Sequence, residues 1–152
     1  TQTNYTKLGW GMQLSTVLNP IDALTVYGIG TYGCGYASYS GDMLMGNYDL
    51  IPDPDRPGRL YAPNAVTFMA GLQYHFTPSL FASATFGQSR YLPTKAVDPD
   101  EYKYGQFFCA NIFWFLTSRI SMGAEFDLGK RQNFSGEHRW ARRLGAVVQF
   151  SF

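Results

Sequence analysis

Few residues in this 152-residue chain suit acid–base, nucleophilic or metal chemistry: His75 and His138, Cys34 and Cys109, and the acids of two loops. A hydrolytic relay needs a nucleophile, a histidine and an orienting polar group within hydrogen-bond reach. The strands assigned below put His75 and His138 at opposite ends, so no enzyme is expected. Neither cysteine belongs to a CxxC or other ligand spacing, and whether Cys34 and Cys109 pair is left open by the sequence. Asp42, Asp49, Asp53 and Asp55 share one loop, and Asp98-Pro99-Asp100-Glu101 lies in another. The glycine and terminal glutamate of a calcium loop are missing, and Asp-Pro pairs favour solvated turns. No metal or cofactor is expected.

What remains is chemistry by charge and surface. Aromatics make up 17% of residues, with 11 Tyr and 12 Phe, and charged residues 15%, below the roughly 25% usual for soluble domains. That ring surface requires an apolar environment. A net charge of +1 and a pI near 7.7 offer no electrostatic basis for a nucleic-acid partner. No stretch reaches the roughly 18 consecutive apolar residues of a spanning helix, so any membrane crossing must use strands. A mean hydropathy of −0.18 is compatible with that, because barrel strands are only half apolar.

Runs rich in β-branched and aromatic residues, bounded by Pro, Gly, Asn and Asp, predict strands over residues 4–18, 23–36, 64–76, 79–92, 102–116, 118–130 and 141–152, with no helix. Their connections alternate. Asn19-Pro20-Ile21-Asp22, Thr77-Pro78 and Thr117 are tight, whereas 37–63, 93–101 and 131–140 are long. Outer-membrane barrels show this asymmetry between periplasmic turns and extracellular loops. A soluble β-sandwich, the competing all-β architecture, has no reason for it. Tyr5, Tyr36, Tyr39, Tyr61, Tyr91, Tyr102, Tyr104 and Trp140 fall at outer strand ends, and Tyr74, Phe76, Phe81, Trp114, Phe115 and Phe152 at periplasmic ends. Two aromatic girdles are expected from them.

Successive side chains of a strand point to opposite faces, so a strand between lipid and a wet lumen alternates with a period of two. Leu144, Ala146, Val148, Phe150 and Phe152 are expected to face lipid, with Arg143, Gly145, Gln149 and Ser151 facing inward and Val147 as an apolar exception. Setting Asp127 opposite Arg143 brings Phe126 to Leu144, Ala124 to Ala146 and Met122 to Val148, all outward. The same reasoning makes Lys7, Gln13, Gln73, Glu125, Asp127, Arg143 and Gln149 the candidate pore-lining residues. Residues 23–36 are too rich in glycine to assign. Residues 107–116 are apolar on both faces and could pack a plug, an inward-folded loop or a neighbouring subunit.

Seven strands are odd, whereas bacterial single-chain barrels have even counts from eight upward. Residues 1–152 are therefore expected to be a single transmembrane segment, the C-terminal part of a larger antiparallel β-barrel; the alternative is a short chain that shares a barrel with sister subunits. Either way, two strand edges need partners, because unsatisfied backbone groups are costly in lipid.

The stretch Leu128-Gly129-Lys130-Arg131-Gln132-Asn133-Phe134-Ser135-Gly136-Glu137, then Arg139, Arg142-Arg143 and the closing Val148-Gln149-Phe150-Ser151-Phe152, resembles the C-terminal end of DcaP-like porins from Gram-negative outer membranes. There a G-x-R-x-N-x-x-G loop leads into an arginine-bearing last strand that ends on an aromatic. The resemblance implies a homotrimer of barrels, each a passive diffusion channel whose constriction arginines favour small anions such as dicarboxylates. Arg143 is the position that fits such a lining arginine.

The expected function is therefore an outer-membrane porin that lets small hydrophilic, anionic solutes diffuse. A structural or assembly subunit of a larger complex, with a plugged lumen, is the alternative. A barrel whose long loops bind a host or nutrient is a third. The loop 37–62 is long enough to fold inward, which would set Asp53, Asp55, Arg56 and Arg59 at a constriction. Arg131, Arg139 and Arg142 are expected to gather at the outer rim, where lipopolysaccharide phosphates are one candidate partner and plain solubilising charge the other.

Overall fold

A computed structural model describes residues 6–41, 43, 46 and 48–152. The strands are β1 (Trp10–Ile21), β2 (Leu24–Cys34), the short pair β3 (Ile51–Pro52) and β4 (Leu60–Tyr61), β5 (Asn64–Thr77), β6 (Leu80–Leu92), β7 (Tyr102–Phe115), β8 (Ile120–Asn133) and β9 (His138–Phe150). Seven of them form one sheet in the order β1-β2-β5-β6-β7-β8-β9, every neighbour antiparallel. This is an all-β meander with β1 and β9 as its two edges. A single turn of 3-10 helix, Ala37–Tyr39, and the β3–β4 hairpin lie in the connection from β2 to β5. Tyr5 and Asp42 lie outside the described residues, as does the start of the predicted first strand.

β1 begins at Trp10, later than expected, with residues 6–9 outside any strand, and two further boundaries differ from the sequence expectation. The first turn falls on Asp22-Ala23, beyond Asn19-Pro20, because β1 runs on to Ile21 through a slip in its pairing with β2 between Leu18 and Ile21. Proline has no N–H to give the ladder, and an edge strand at a pairing irregularity tolerates it. The second difference is the final hairpin. Residues 131–140 are mostly strand: β8 and β9 pair through Lys130 with Trp140, Arg131 with Arg139 and Gln132 with His138. Only Phe134–Glu137 connect them, and Gly136 supplies the positive φ of 92° that this turn requires. The connections at this loop end are therefore long after β2 and β6 and short after β8.

The predicted register between the last two strands holds, with Asp127 opposite Arg143, Phe126 opposite Leu144, Ala124 opposite Ala146 and Met122 opposite Val148. Carried across every ladder, it divides the sheet into two faces. One face is apolar and uncovered: Met12, Leu14, Phe68, Leu72, Ile112, Trp114, Phe126, Leu144 and Val148 are all exposed on it, Leu144 at 82% of its surface. The opposite face carries the small and polar residues.

The two strands that resist assignment from sequence fit this scheme. In β2 the glycines Gly28 and Gly30 sit on the apolar face, opposite Thr16 and Leu14. In β7 Phe108, Ala110, Ile112 and Trp114 take the apolar face, which leaves Phe107, Cys109, Asn111, Phe113 and Phe115 on the polar one. Phe113 stacks on Phe81 with ring centres 5.5 Å apart, and its ring covers Gly123 of β8. A Cβ at Gly123 would stand 2.5 Å from the Phe113 ring, so the glycine makes room for a ring lying flat on the sheet. Gly123→Val is expected to displace that ring and to lower stability by about 1–3 kcal/mol, measured as a shift in the urea midpoint of the chain folded into lipid vesicles.

Candidate functional site

The polar face is the surface on which the sheet could act on solutes. Gln13 stands there opposite Thr31, Gln73 opposite Ser83, Glu125 opposite Asn111, Asp127 opposite Cys109 and Gln149 opposite Ser121, with Arg143 facing Asp127. Six of the seven residues expected to line a pore thus share one face, and the seventh, Lys7, precedes β1 and is exposed. His75 lies at the turn end of β5 on this face, hydrogen-bonded to Gln73 at 2.8 Å, and His138 at the loop end of β9. No relay can join them across that span.

Near the loop end, the connection after β2 folds onto the polar face. Tyr48 packs against Tyr91 and Tyr102, with ring centres 4.8 and 6.0 Å apart. Tyr36, Ala37, Met43 and Ala65 complete this buried cluster, and the Ser40 and Ser89 hydroxyls meet at 3.2 Å. Tyr102 reaches this face because pairing with β8 slips between Tyr102 and Tyr104. The girdle expectation is corrected here: Tyr36, Tyr91 and Tyr102 are buried beneath the loop, and Phe81 and Phe115 lie on the polar face, while Tyr104, Trp140, Tyr74, Phe76 and Trp114 do lie on the apolar face. Parity along each strand carried that information; position at a strand end did not.

Asp53, Asp55, Arg56 and Arg59 belong to the β3–β4 hairpin. Lys95, from the connection after β6, hydrogen-bonds Asp53 and lies 3.0 Å from Asp55, while Arg56 and Arg59 are exposed. The residues of the connection lying against the polar face are earlier ones: Tyr36, Ala37, Met43 and Tyr48. Asp53 and Asp98 also accept from the backbone N–H two residues ahead, at 3.0 and 2.9 Å, which is the turn-forming use of an aspartate.

Lower on the same face, Arg143 donates from Nε to Asp127 Oδ2 at 2.6 Å and from its terminal nitrogen to Glu125 Oε1 at 2.8 Å. The Asp127 side chain is 7% exposed and that of Arg143 70%, so the guanidinium stands toward open space while the carboxylate is sunk in the wall. Cys109 Sγ lies within 4.8 Å of the ligand atoms of both acids, a mixed set of one soft and two hard donors, but Arg143 already engages both carboxylates. Cys34 and Cys109 are free thiols; Cys34 donates to the Ala62 carbonyl at 3.0 Å.

The structure separates the arginines expected at the rim. Arg142 falls on the apolar face opposite Leu128, whereas Arg131 and Arg139 face one another directly on the polar face. Like charges directly opposite disfavour pairing, and neither arginine has an ion-pair partner among the described residues. Arg131 rests over the Tyr102 ring at 5.5 Å. Both line a cleft of ≈ 870 Å³ with Gln13, Thr31, Tyr39 and Ser40. The sequence expectation places this pair in a loop; the alternation Arg131, Asn133 and Arg139, Ala141, Arg143 is the signal that strand continues there.

The Lys95 ammonium holds the Asp53 carboxyl below the usual carboxylate range, and Asp53 in turn raises the Lys95 pKa. A lowered folded pKa gives Asp53 a contribution present above its unfolded value of about 3.9 and lost as pH falls through the folded value. The Lys95 contribution is complete below its unfolded value of about 10.4 and is lost as pH rises through the raised one. Protection of residues 51–61 against hydrogen exchange, corrected for intrinsic rates, is therefore expected to be flat between about pH 5 and 9 and to fall below about pH 4. Lys95→Met should abolish that acid step.

No family model matches the chain, and no curated protein matches it significantly. Among solved structures, the outer membrane channel DcaP of Acinetobacter baumannii superposes on 96% of this chain with a TM-score of 0.78 and 21% sequence identity, and the match covers 41% of that channel. The chain thus has the fold of part of the DcaP outer-membrane channel and spans about two fifths of that channel's length.

Proposed function

We propose that this chain is part of a transmembrane β-barrel of the bacterial outer membrane, a porin through which small hydrophilic solutes diffuse passively with a preference for anions. The observation that carries the reading is that Tyr36, Ala37, Met43 and Tyr48 of the connection after β2 pack on the polar face of a sheet whose other face is apolar and bare. An exposed apolar face suits lipid, and a loop on the opposite face narrows whatever passes along it. The fold shared with an outer membrane channel supports the same reading.

Mechanism follows from width and charge. The inward segment limits size. Arg131 and Arg139, close together and without an ion-pair partner among the described residues, attract an anion into the cleft; toward the turn end Arg143 stands against two carboxylates, Asp127 and Glu125, and that cluster carries one net negative charge, which tempers the preference there. Gln13, Gln73 and Gln149 offer hydrogen bonds along the wall, and Lys7 adds positive charge beside β1. Lys95 offsets one of the two negative charges of Asp53 and Asp55, so within the hairpin an approaching solute meets the exposed Arg56 and Arg59 together with the exposed Asp55. The edges of β1 and β9 require strands from a longer chain or from sister subunits. A homotrimer is part of the proposal, as in the resemblance drawn from the final hairpin.

The plugged assembly subunit rested on the doubly apolar β7. On its second face the Phe81–Phe113 stack covers one ring, while Phe107 and Phe115 stay exposed there. Single-channel recording of the natural chain across a KCl gradient tests the proposal. A reversal potential on the anion-selective side is expected, and Arg131→Gln with Arg139→Gln should lower the anion-to-cation permeability ratio by about threefold or more. An absence of conductance would favour the plugged subunit, and unchanged selectivity in the double variant would remove the arginine pair from the mechanism.

A further inference from the structure

The apolar face is not apolar over its full height. Toward the loop end its rows change to Arg90 on β6, Tyr104 on β7, Lys130 on β8, and Trp140 and Arg142 on β9. Arg90 is directly opposite Tyr104, and Lys130 directly opposite Trp140. The two carboxylates of strands β5 to β9, Glu125 and Asp127, both lie on the other face. None of the three cations has an ion-pair partner among the described residues.

The cluster is braced by its rings. Lys130 Nζ donates to Tyr104 Oη at 3.1 Å and stands 5.4 and 5.5 Å from the ring centres of Tyr104 and Trp140; the Arg90 guanidinium lies 5.9 Å from the Tyr104 ring. Three uncompensated cations beside hydrocarbon-facing rows are unfavourable unless negative charge lies in the same plane, just above the acyl chains. Tyrosine and tryptophan prefer that level for their own reasons, with an apolar ring and a polar tip. Lysine acts as a point charge on phosphate, and the arginine fork can grip two phosphate oxygens at once.

We propose that Arg90, Lys130 and Arg142 form a lipid-facing collar that binds the phosphorylated headgroups of the outer leaflet, the phosphates of lipid A in lipopolysaccharide. The inference rests on the membrane placement proposed above and assigns opposite duties to arginines adjacent in sequence: Arg142 to lipid, Arg139 and Arg143 to the polar face.

The test uses the natural full-length chain in detergent, titrated with bisphosphorylated lipid A and followed by native mass spectrometry. Arg90→Gln with Lys130→Gln and Arg142→Gln is expected to lower lipid A retention about tenfold or more, while Arg131→Gln with Arg139→Gln leaves it unchanged. Retention equal to the unaltered chain in the triple variant overturns the proposal, as does an equal loss in the polar-face pair. Complete displacement of lipid A by excess inorganic phosphate also overturns it, because the collar would then be a free-anion site. If the triple variant does not fold, Arg142→Gln alone carries the test. Retention is read without any current, so a chain that holds lipid A but does not conduct would sink the diffusion proposal and leave this one standing.

Discussion

A strand that must keep opposite company on its two faces can be paired in only one register, and that constraint governs the whole molecule. Sliding β9 by one residue against β8 would turn Leu144, Ala146 and Val148 to the polar side and drive Arg143 to the apolar one. Several contacts hold the register at once: Arg143 on Asp127 and Glu125, Phe113 lying over Gly123, and Lys130 set between the Tyr104 and Trp140 rings. Each is modest, and none stands alone. Together they make two chemically different surfaces from one meander.

The loop after β2 depends on that division. It needs an apolar seat on an otherwise polar face, and the slip at Tyr102 provides one by turning that ring inward beside Tyr91. Burial of Met43, Tyr48 and their neighbours there opposes the entropy of ordering a long connection. The β3–β4 hairpin is fastened separately, by Lys95. Two separate anchorages thus hold the connection, one on the polar face through Tyr36, Met43 and Tyr48 and one at the hairpin through Lys95.

How much of this was legible in the sequence follows from the physics of strands. Alternation and one charge pair sufficed for the register of β8 with β9, because a period of two leaves no intermediate choice. The all-β class and the polar-face positions of Gln13, Gln73, Glu125, Asp127, Arg143 and Gln149 follow from the same rule. The final hairpin was less legible. Residues 130–133 are polar on both faces, and 138–142 set three basic side chains around Trp140 and Ala141, so they look like loop, yet their ladder continues beyond the apolar rows. The buried tyrosines were illegible for another reason: which face Tyr102 takes depends on a pairing slip, and the seat for Tyr48 depends on strands distant in sequence.

The central claim, that one face of this sheet meets lipid and the other meets water, is tested most directly by cysteine accessibility along β8. In the natural chain with Cys34 and Cys109 replaced by serine and reconstituted in vesicles, single cysteines are placed from position 121 to position 128. A charged, membrane-impermeant thiol reagent is expected to label positions 121 and 125, to react slowly at 123 beneath the Phe113 ring and at the buried 127, and to spare 122, 124, 126 and 128. Uniform labelling, or labelling of the even positions, would contradict the account.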